Sequence, residues 1–195
     1  VDHLMLNQLA ASMATLTEDE RELGVVLIDI GAGTTDIAVF SGGAIRHTAV
    51  LPVAGELITS DIAMALRTPT DVAEDIKLQH GCAKQLLADP ETHIEVAGLS
   101  GRPPRLLNKQ VLAGVIEPRI EEIFSLVQKE VQSSGFEHLV SSGVVLTGGS
   151  ALMQGMVELG EDIFLKPVRV AAPQYNGALA DMVAQARASV VMGML

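Results

Sequence analysis

The 195-residue sequence predicts an α/β protein, and three observations predict it. Val25-Val26-Leu27-Ile28 and Val144-Val145-Leu146-Thr147 are short apolar runs rich in β-branched residues, the pattern of strands buried on both faces. Each leads directly into a glycine turn, Gly31-Ala32-Gly33-Thr34-Thr35 after the first and Gly148-Gly149-Ser150 after the second. Between them lie long segments whose apolar residues recur at helical spacing.

The elements follow in order. Leu4–Leu16 sets Leu4, Leu6, Leu9, Ala10, Met13, Ala14 and Leu16 near helical spacing and is rich in Ala and Leu, so it predicts a helix. Thr17–Glu22 reads as a solvated charged link closed by Gly24. The strand at Val25–Ile28 turns at Gly31–Thr35 into a second at Asp36–Phe40. Ser41-Gly42-Gly43 then turns it into a third at Ala44–Leu51, an antiparallel meander. Ile58–Leu66 predicts a helix, and Thr68-Pro69-Thr70-Asp71 starts another, with Thr68 as N-cap and Pro69 at the first helical position. A strand is expected at Thr92–Ala97, then a Gly/Pro-rich loop at Gly98–Pro104.

Asn108–Ser133 is the longest helical segment, with Leu112, Val115, Ile116, Ile120, Ile123, Phe124, Val127 and Val131 on its apolar face. Pro118 inside it should kink it, because proline lacks the N–H and crowds the preceding turn. After the strand at Val144–Thr147, Ser150 is a candidate cap for a helix at Ala151–Leu159. Val168–Val170 reads as a short strand and Ala178–Leu195 as a closing helix.

Composition excludes several functions. Apolar residues make up 48% and charged residues 19%, which suits a packed domain and not a disordered tail. With 24 acidic against 13 basic residues the net charge is −11, and the aromatics are four Phe, one Tyr and no Trp. Nucleic-acid binding, which rests on Lys and Arg neutralising phosphates, is therefore not expected. No apolar run reaches the ~20 residues that span a bilayer, and no secretory leader opens the chain. Cys82 is the single cysteine, so no internal disulfide can form and a reducing compartment is expected. Five scattered histidines lack metal-ligand spacing. Val1 is not Met and Met194-Leu195 stops inside an apolar stretch, so the chain is expected to be a piece of a longer protein.

Two motifs carry chemistry. In Asp29-Ile30-Gly31-Ala32-Gly33-Thr34-Thr35-Asp36 the glycines let backbone N–H groups approach phosphate oxygens, the threonines add hydroxyl donors, and Asp29 can hold Mg²⁺ through water. The plain alternative is a hairpin turn. Gly148-Gly149-Ser150 would let a ribose or adenosine lie against the backbone, its alternative being an ordinary strand-to-helix turn. Neither is a Walker A loop or a Gly-x-Gly-x-x-Gly fingerprint.

Val26–Asp36 resembles the second phosphate motif of the actin, heat-shock chaperone and sugar-kinase ATPase superfamily, and Val144–Ser150 resembles its adenosine motif. Within that superfamily, Leu16–Gly24, Ser60-Asp61-Ile62-Ala63, Gly101-Arg102-Pro103-Pro104-Arg105 and Val115-Ile116-Glu117-Pro118-Arg119 are similar to the FtsA family of bacterial cell-division proteins. The similarity runs in order along essentially the whole chain.

The resemblance implies an actin-like (ribonuclease H-like) half with a mixed five-stranded sheet and an inserted α+β subdomain. Its parts would be a connecting helix and link at 1–23, a core subdomain at 24–66 and 143–195, and the inserted subdomain, forming nucleotide roof and partner dock, at 67–142. It implies ATP and Mg as cofactors. Gly31, Gly33, Thr34 and Thr35 would wrap the phosphates, and Asp29 would face Mg. Glu74 and Lys77, three apart on one helix face, would reach ribose and adenine, with Gly148, Gly149, Ser150 and Leu152 on the other side.

The family's other phosphate motif would precede Val1. Asn7-Gln8 stands where a carboxylate usually orients water, so Asn7 marks the catalytic position without a proton acceptor. Ala32 replaces the usual middle glycine. Weak or absent ATPase is expected, with none from this chain alone.

The implied partners are the C-terminal tail of the tubulin-like protein FtsZ, met by Arg119 and Glu122, and further copies in filaments, with Arg105 at the protomer contact. Other division proteins would bind too. The membrane would be reached only through a segment missing here. The implied place is the cytoplasmic face of the membrane at the division site, where the parent would tether the FtsZ ring. A stand-alone peptide-docking module, or another ATPase of the superfamily such as a sugar kinase or chaperone, are the alternative readings.

Overall fold

The strand that leads into the first glycine turn stands at the middle of the sheet. In the computed structural model, which describes residues 4–98, 103–173 and 185–195, β1 (Val25–Ile30) pairs antiparallel with β2 (Thr35–Ser41) and parallel with β6 (Val144–Thr147). β3 (Ala44–Leu51) continues the antiparallel side and β7 (Val168–Val170) the parallel side, giving the order β3-β2-β1-β6-β7. The mixed five-stranded sheet is thus as expected. Central strands are buried on both faces, which is why their sequences read as unbroken apolar runs. β3, at the edge, alternates exposed and half-buried residues.

Helices cover both faces. On one, Val26, Ile28, Ile30, Ile37 and Val39 pack with Ile58 and Ile62 of α3 (Gly55–Leu66) and Ile116, Ile120 and Phe124 of α5 (Lys109–Ser134). Phe164 of α6 (Met156–Phe164) meets Phe124 with ring centroids 5.1 Å apart. On the other face Val25, Leu27, Ala38, Phe40 and Val145 pack with Ala11 of α1 (Asn7–Thr15) and Val190 of α7 (Ser189–Gly193). Each fully buried isoleucine contributes about 1.5–3 kcal/mol of transfer free energy.

Between α3 and β6 lie α4 (Thr70–His80), the antiparallel pair β4 (His93–Val96) and β5 (Arg105–Asn108), and α5.

Several local expectations are corrected. Thr17–Glu22 is not a plain link: Glu18–Leu23 forms a helix, α2, because Thr17 and Glu20 make a reciprocal capping box. Thr68 does not cap α4. Its hydroxyl donates to the Ala97 carbonyl at 2.7 Å, and Pro69 holds the N-cap position. Asn108 caps α5, and the helix continues through Pro118. Residues 105–108 form a strand that was not expected. Ser150 lies inside a short 3₁₀ turn, Gly149–Leu152, and the helix beyond starts only at Met156. Of the closing helix expected at 178–195, residues 178–184 lie outside the described residues. The rest is a 3₁₀ turn at Ala186–Ala188 followed by α7.

Candidate functional site

The β1–β2 turn, α4 and the turn after β6 are distant in sequence and meet around one cavity of ≈ 600 Å³. Of the residues singled out from sequence, Gly31, Glu74, Lys77, Gly149, Ser150 and Leu152 line it. The parallel pairing of β1 with β6 explains the meeting, since both strands end, in register, at the same edge of the sheet. Ligands in α/β sheets lie beyond such carboxyl ends.

The β1–β2 turn is fastened to its surroundings. The Gly31 carbonyl accepts from Ser150 Oγ at 3.2 Å and from the Gly55 amide at 3.1 Å, while the Ala32 carbonyl accepts from the Glu56 amide at 2.8 Å. The first turn of α3 therefore donates to the loop's carbonyls, and close approach is built in. A Cβ on Gly55 would lie 2.6 Å from Ser150 Oγ and 3.0 Å from the Gly31 oxygen.

Glu74 and Lys77 form a contact pair at 2.7 Å. Lys77 is only 8% exposed and donates also to the Gly55 carbonyl at 3.1 Å and to Thr59 Oγ1 at 2.8 Å, so its ammonium is fully used. Thr59 Oγ1 donates to Glu74. Burial pushes the Glu74 carboxyl up, but the Lys77 and Thr59 bonds outweigh it and hold the group below its ordinary value.

The remaining nucleotide-site candidates stand at the edge of the cavity or behind it. Gly33 and Thr34 are exposed at the tip of the turn, with Thr34 Oγ1 donating to Asp36 at 3.2 Å. Thr35 is buried, and its hydroxyl donates to the Val53 carbonyl at 2.7 Å, a bond within the fold. Gly148 has φ +90°, and a Cβ there would fall 2.4 Å from Asp29 Oδ1, so only glycine lets β6 turn beside that carboxylate. Asp29 faces Asp36 across the β1–β2 pair. Burial, and then the Asp36 charge, push the Asp29 carboxyl up to about 6. Burial raises Asp36 as well, against the Thr34 bond.

Asn7 is exposed, whereas Gln8, one residue on, is 6% exposed and its Nε2 donates to Asp36 Oδ1 at 2.8 Å. Gln8 was missed. It shares the spacing of Ala11, Ser12 and Thr15, all buried on α1, and that period marks the inward face. Lys109 and Arg187 also line the cavity without having been singled out. Among the described residues no three His, Cys, Asp or Glu side chains gather as a metal-binding group.

The partner candidates lie away from this cavity. Arg119 makes a two-point bond to Asp61 of α3, at 2.6 and 3.0 Å, and also pairs with Glu122. Its guanidinium clamps α5 to α3. Arg105 Nη2 donates to the Leu66 carbonyl at the end of α3 at 2.5 Å.

The family described as "Cell division protein FtsA" matches residues 26–193. Curated relatives include cell division protein FtsA of Pseudomonas aeruginosa, 53% identical over 195 residues, covering 100% of this chain and 47% of that protein. The Escherichia coli FtsA protein is 45% identical, with 100% and 48% covered. The chain thus spans about half the length of the curated relatives it matches.

Among solved structures, MreB5 of Spiroplasma citri bound to ADP is similar with a TM-score of 0.74 and 22% identity, over 97% of this chain and 57% of that one. A PilM–PilN type IV pilus biogenesis complex is similar at TM-score 0.69 and 15% identity, over 99% and 52%. These likenesses show the fold.

Proposed function

The chain belongs to the FtsA family of cell-division proteins and has an actin-like fold, and from that premise we propose that its cavity binds ATP as half of a nucleotide-dependent assembly protein. The observation that carries this reading is the meeting of three separate segments, at Gly31, Glu74–Lys77 and Gly149–Leu152, around a single cavity. The ADP and AMPPNP in the two MreB5 structures support it.

In this reading the backbone of the exposed residues Ala32, Gly33 and Thr34 takes the phosphates, while the Gly31 amide closes the turn on the Thr34 carbonyl at 3.0 Å. The Glu74 carboxylate, kept ionised by Lys77 and Thr59, accepts from ribose hydroxyls. The backbone at Gly149 provides a flat bed for the nucleoside. Mg²⁺ suits the Asp29–Asp36 pair, because that ion takes one or two carboxylates, keeps several waters and shares the phosphates. Two carboxylates facing each other, with Asp29 pushed up to about 6, are a donor set that a cation relieves. When bound, Mg²⁺ neutralises phosphate charge. We move the water-orienting role from Asn7 to Gln8, a reading supported by the bond from Gln8 Nε2 to Asp36 Oδ1 at 2.8 Å, and an amide orients water without taking its proton. Turnover is accordingly weak, and absent without the half that would complete the phosphate cradle.

We place the FtsZ tail on the inserted subdomain at 67–142, with Arg119 and Glu122 in the contact. Arg105 stands near the contact between copies in a filament. The full-length protein would tether the FtsZ ring to the cytoplasmic membrane through a segment outside this chain.

The test is titration of the full-length protein with Mg-ATP, comparing the wild type with Gly149→Val. Among the described residues only the Arg187 Cβ, at 3.8 Å, lies within 4 Å of a Cβ at this position, so the backbone accepts a Cβ there and the further methyls of valine intrude on the nucleoside bed. Saturable binding that Gly149→Val weakens at least tenfold is expected. Equal binding by both proteins would overturn the assignment of the cavity.

A further inference from the structure

Within this acidic chain of net charge −11, the cavity is lined by three cations, Lys77, Lys109 and Arg187, against one carboxylate, Glu74. Two of the cations are occupied: Lys77 by Glu74, Gly55 and Thr59, and Lys109 by Gln154 Oε1 at 3.0 Å. Arg187 makes no hydrogen bond or ion pair with any described residue, and it is exposed.

Its backbone, in contrast, is fixed. The neighbouring Ala186 is 1% exposed, and its carbonyl accepts from the Gly148 amide at 3.2 Å, Thr147 Oγ1 at 3.2 Å and Ser189 Oγ at 2.8 Å. These bonds tie residue 187 to the turn after β6. A Cβ on Gly149 would touch the Arg187 Cβ at 3.8 Å, so an atom resting on Gly149 rests against the stem of Arg187. The same wall carries Leu152, 55% exposed, and α4 brings Leu78, 70% exposed, to the cavity. Exposed leucines beside a planar cation form a surface suited to a flat ring. A guanidinium stacks on such a ring, and lysine lacks the planar group to do so.

We propose that Arg187 is a base-contacting residue whose guanidinium packs on the face of the purine. This rests on the nucleotide reading of the cavity. The experiment measures dissociation constants of AMP, ADP and ATP for the full-length wild type, Arg187→Ala and Arg187→Lys, with Gly149→Val as a separate probe of the cavity. Arg187→Ala should weaken all three nucleotides by the same factor, roughly 3- to 30-fold, the span of an arginine–ring contact. Arg187→Lys should recover only part of the loss. A loss that grows from AMP to ATP would overturn the proposal in favour of a phosphate contact, and unchanged affinities would overturn it outright. A wild type that binds none of the three would overturn the nucleotide reading and the proposal with it. Unchanged Arg187→Ala beside a weakened Gly149→Val would overturn the proposal alone.

Discussion

Asp29 shows how one residue joins the site to stability. Burial and Asp36 push its carboxyl up from 3.8 to about 6 in the folded chain. Between those values the folded state holds more protons than the unfolded state, so stability falls as pH rises through this window and stays lowered above it. Asp29→Asn, with no charge to desolvate, should therefore stabilise the protein near pH 7, by up to about 3 kcal/mol, and should change little below pH ~4. Urea unfolding at the two pH values checks this, and equal effects at both would sink it. The glycine turns stand out in the sequence because each follows a buried strand, whereas the Glu74–Lys77 pair was reached only through the family resemblance, its spacing alone being that of an ordinary ion pair on a helix face. Gln8 was not legible. Its neighbour Asn7 is also a polar amide, and only the three-dimensional direction of the helix face separates an exposed amide from one bonded to Asp36.

At the scale of elements, α2 shows a local signal read too narrowly. Thr17 and Glu20 spell a capping box, but no apolar run follows, so the segment looked like a link. What holds the helix in place is long-range: Glu20 also accepts two bonds from Arg169 of β7, both at 2.7 Å, and Arg169 reaches the Thr15 carbonyl at 3.0 Å. Sequence periodicity cannot report a partner 149 residues away. Thr17→Ala should cost about 1 kcal/mol, the usual worth of an N-cap. Glu20→Ala should cost more, since it removes the carboxylate that accepts from the Thr17 amide and leaves Arg169 without its two-point partner, although the Thr17 cap bond to the residue-20 amide stays; the two variants' unfolding midpoints decide the order. The α3–α5 clamp makes a second case. Arg119 was read as a residue turned toward a partner, yet two of its bonds go to Asp61. Asp61→Asn should loosen that clamp without removing the Arg119 charge. If Arg119 contacts the FtsZ tail, Arg119→Glu should weaken tail binding at least fivefold while Asp61→Asn does not. Equal losses would mean that the clamp, and not the charge, shapes the dock.

At the scale of the whole sheet, helices distant in sequence close its second face. α1 and α7 lie together on the second face of the sheet, and their approach is so close that a Cβ on Gly193 would fall 1.7 Å from the Ala10 carbonyl oxygen. The central strands β1 and β6 were readable because burial on both faces selects β-branched residues, and β3 through the glycine turn before it. This contact was not, because Ala10 and Gly193 are ordinary helix residues until the fold opposes them. The obstacle is main chain, which cannot swing aside as a side chain can, so Gly193→Ala must push the two helices apart. That separation also strains the buried Ser189–Thr147 hydroxyl pair, 2.5 Å apart, which ties α7 to the end of β6. Overpacking of this kind costs about 1–3 kcal/mol. The expected result is a lower urea midpoint with an unchanged slope, against Gly33→Ala as control, where no described residue lies within 4 Å of the added carbon. The strain passes through Ser189 and Ala186 to the turn that fixes Arg187, so Gly193→Ala should also weaken nucleotide binding although it lies outside the cavity lining. Loss of stability with unchanged nucleotide affinity would show that the helix pair and the cavity are mechanically independent.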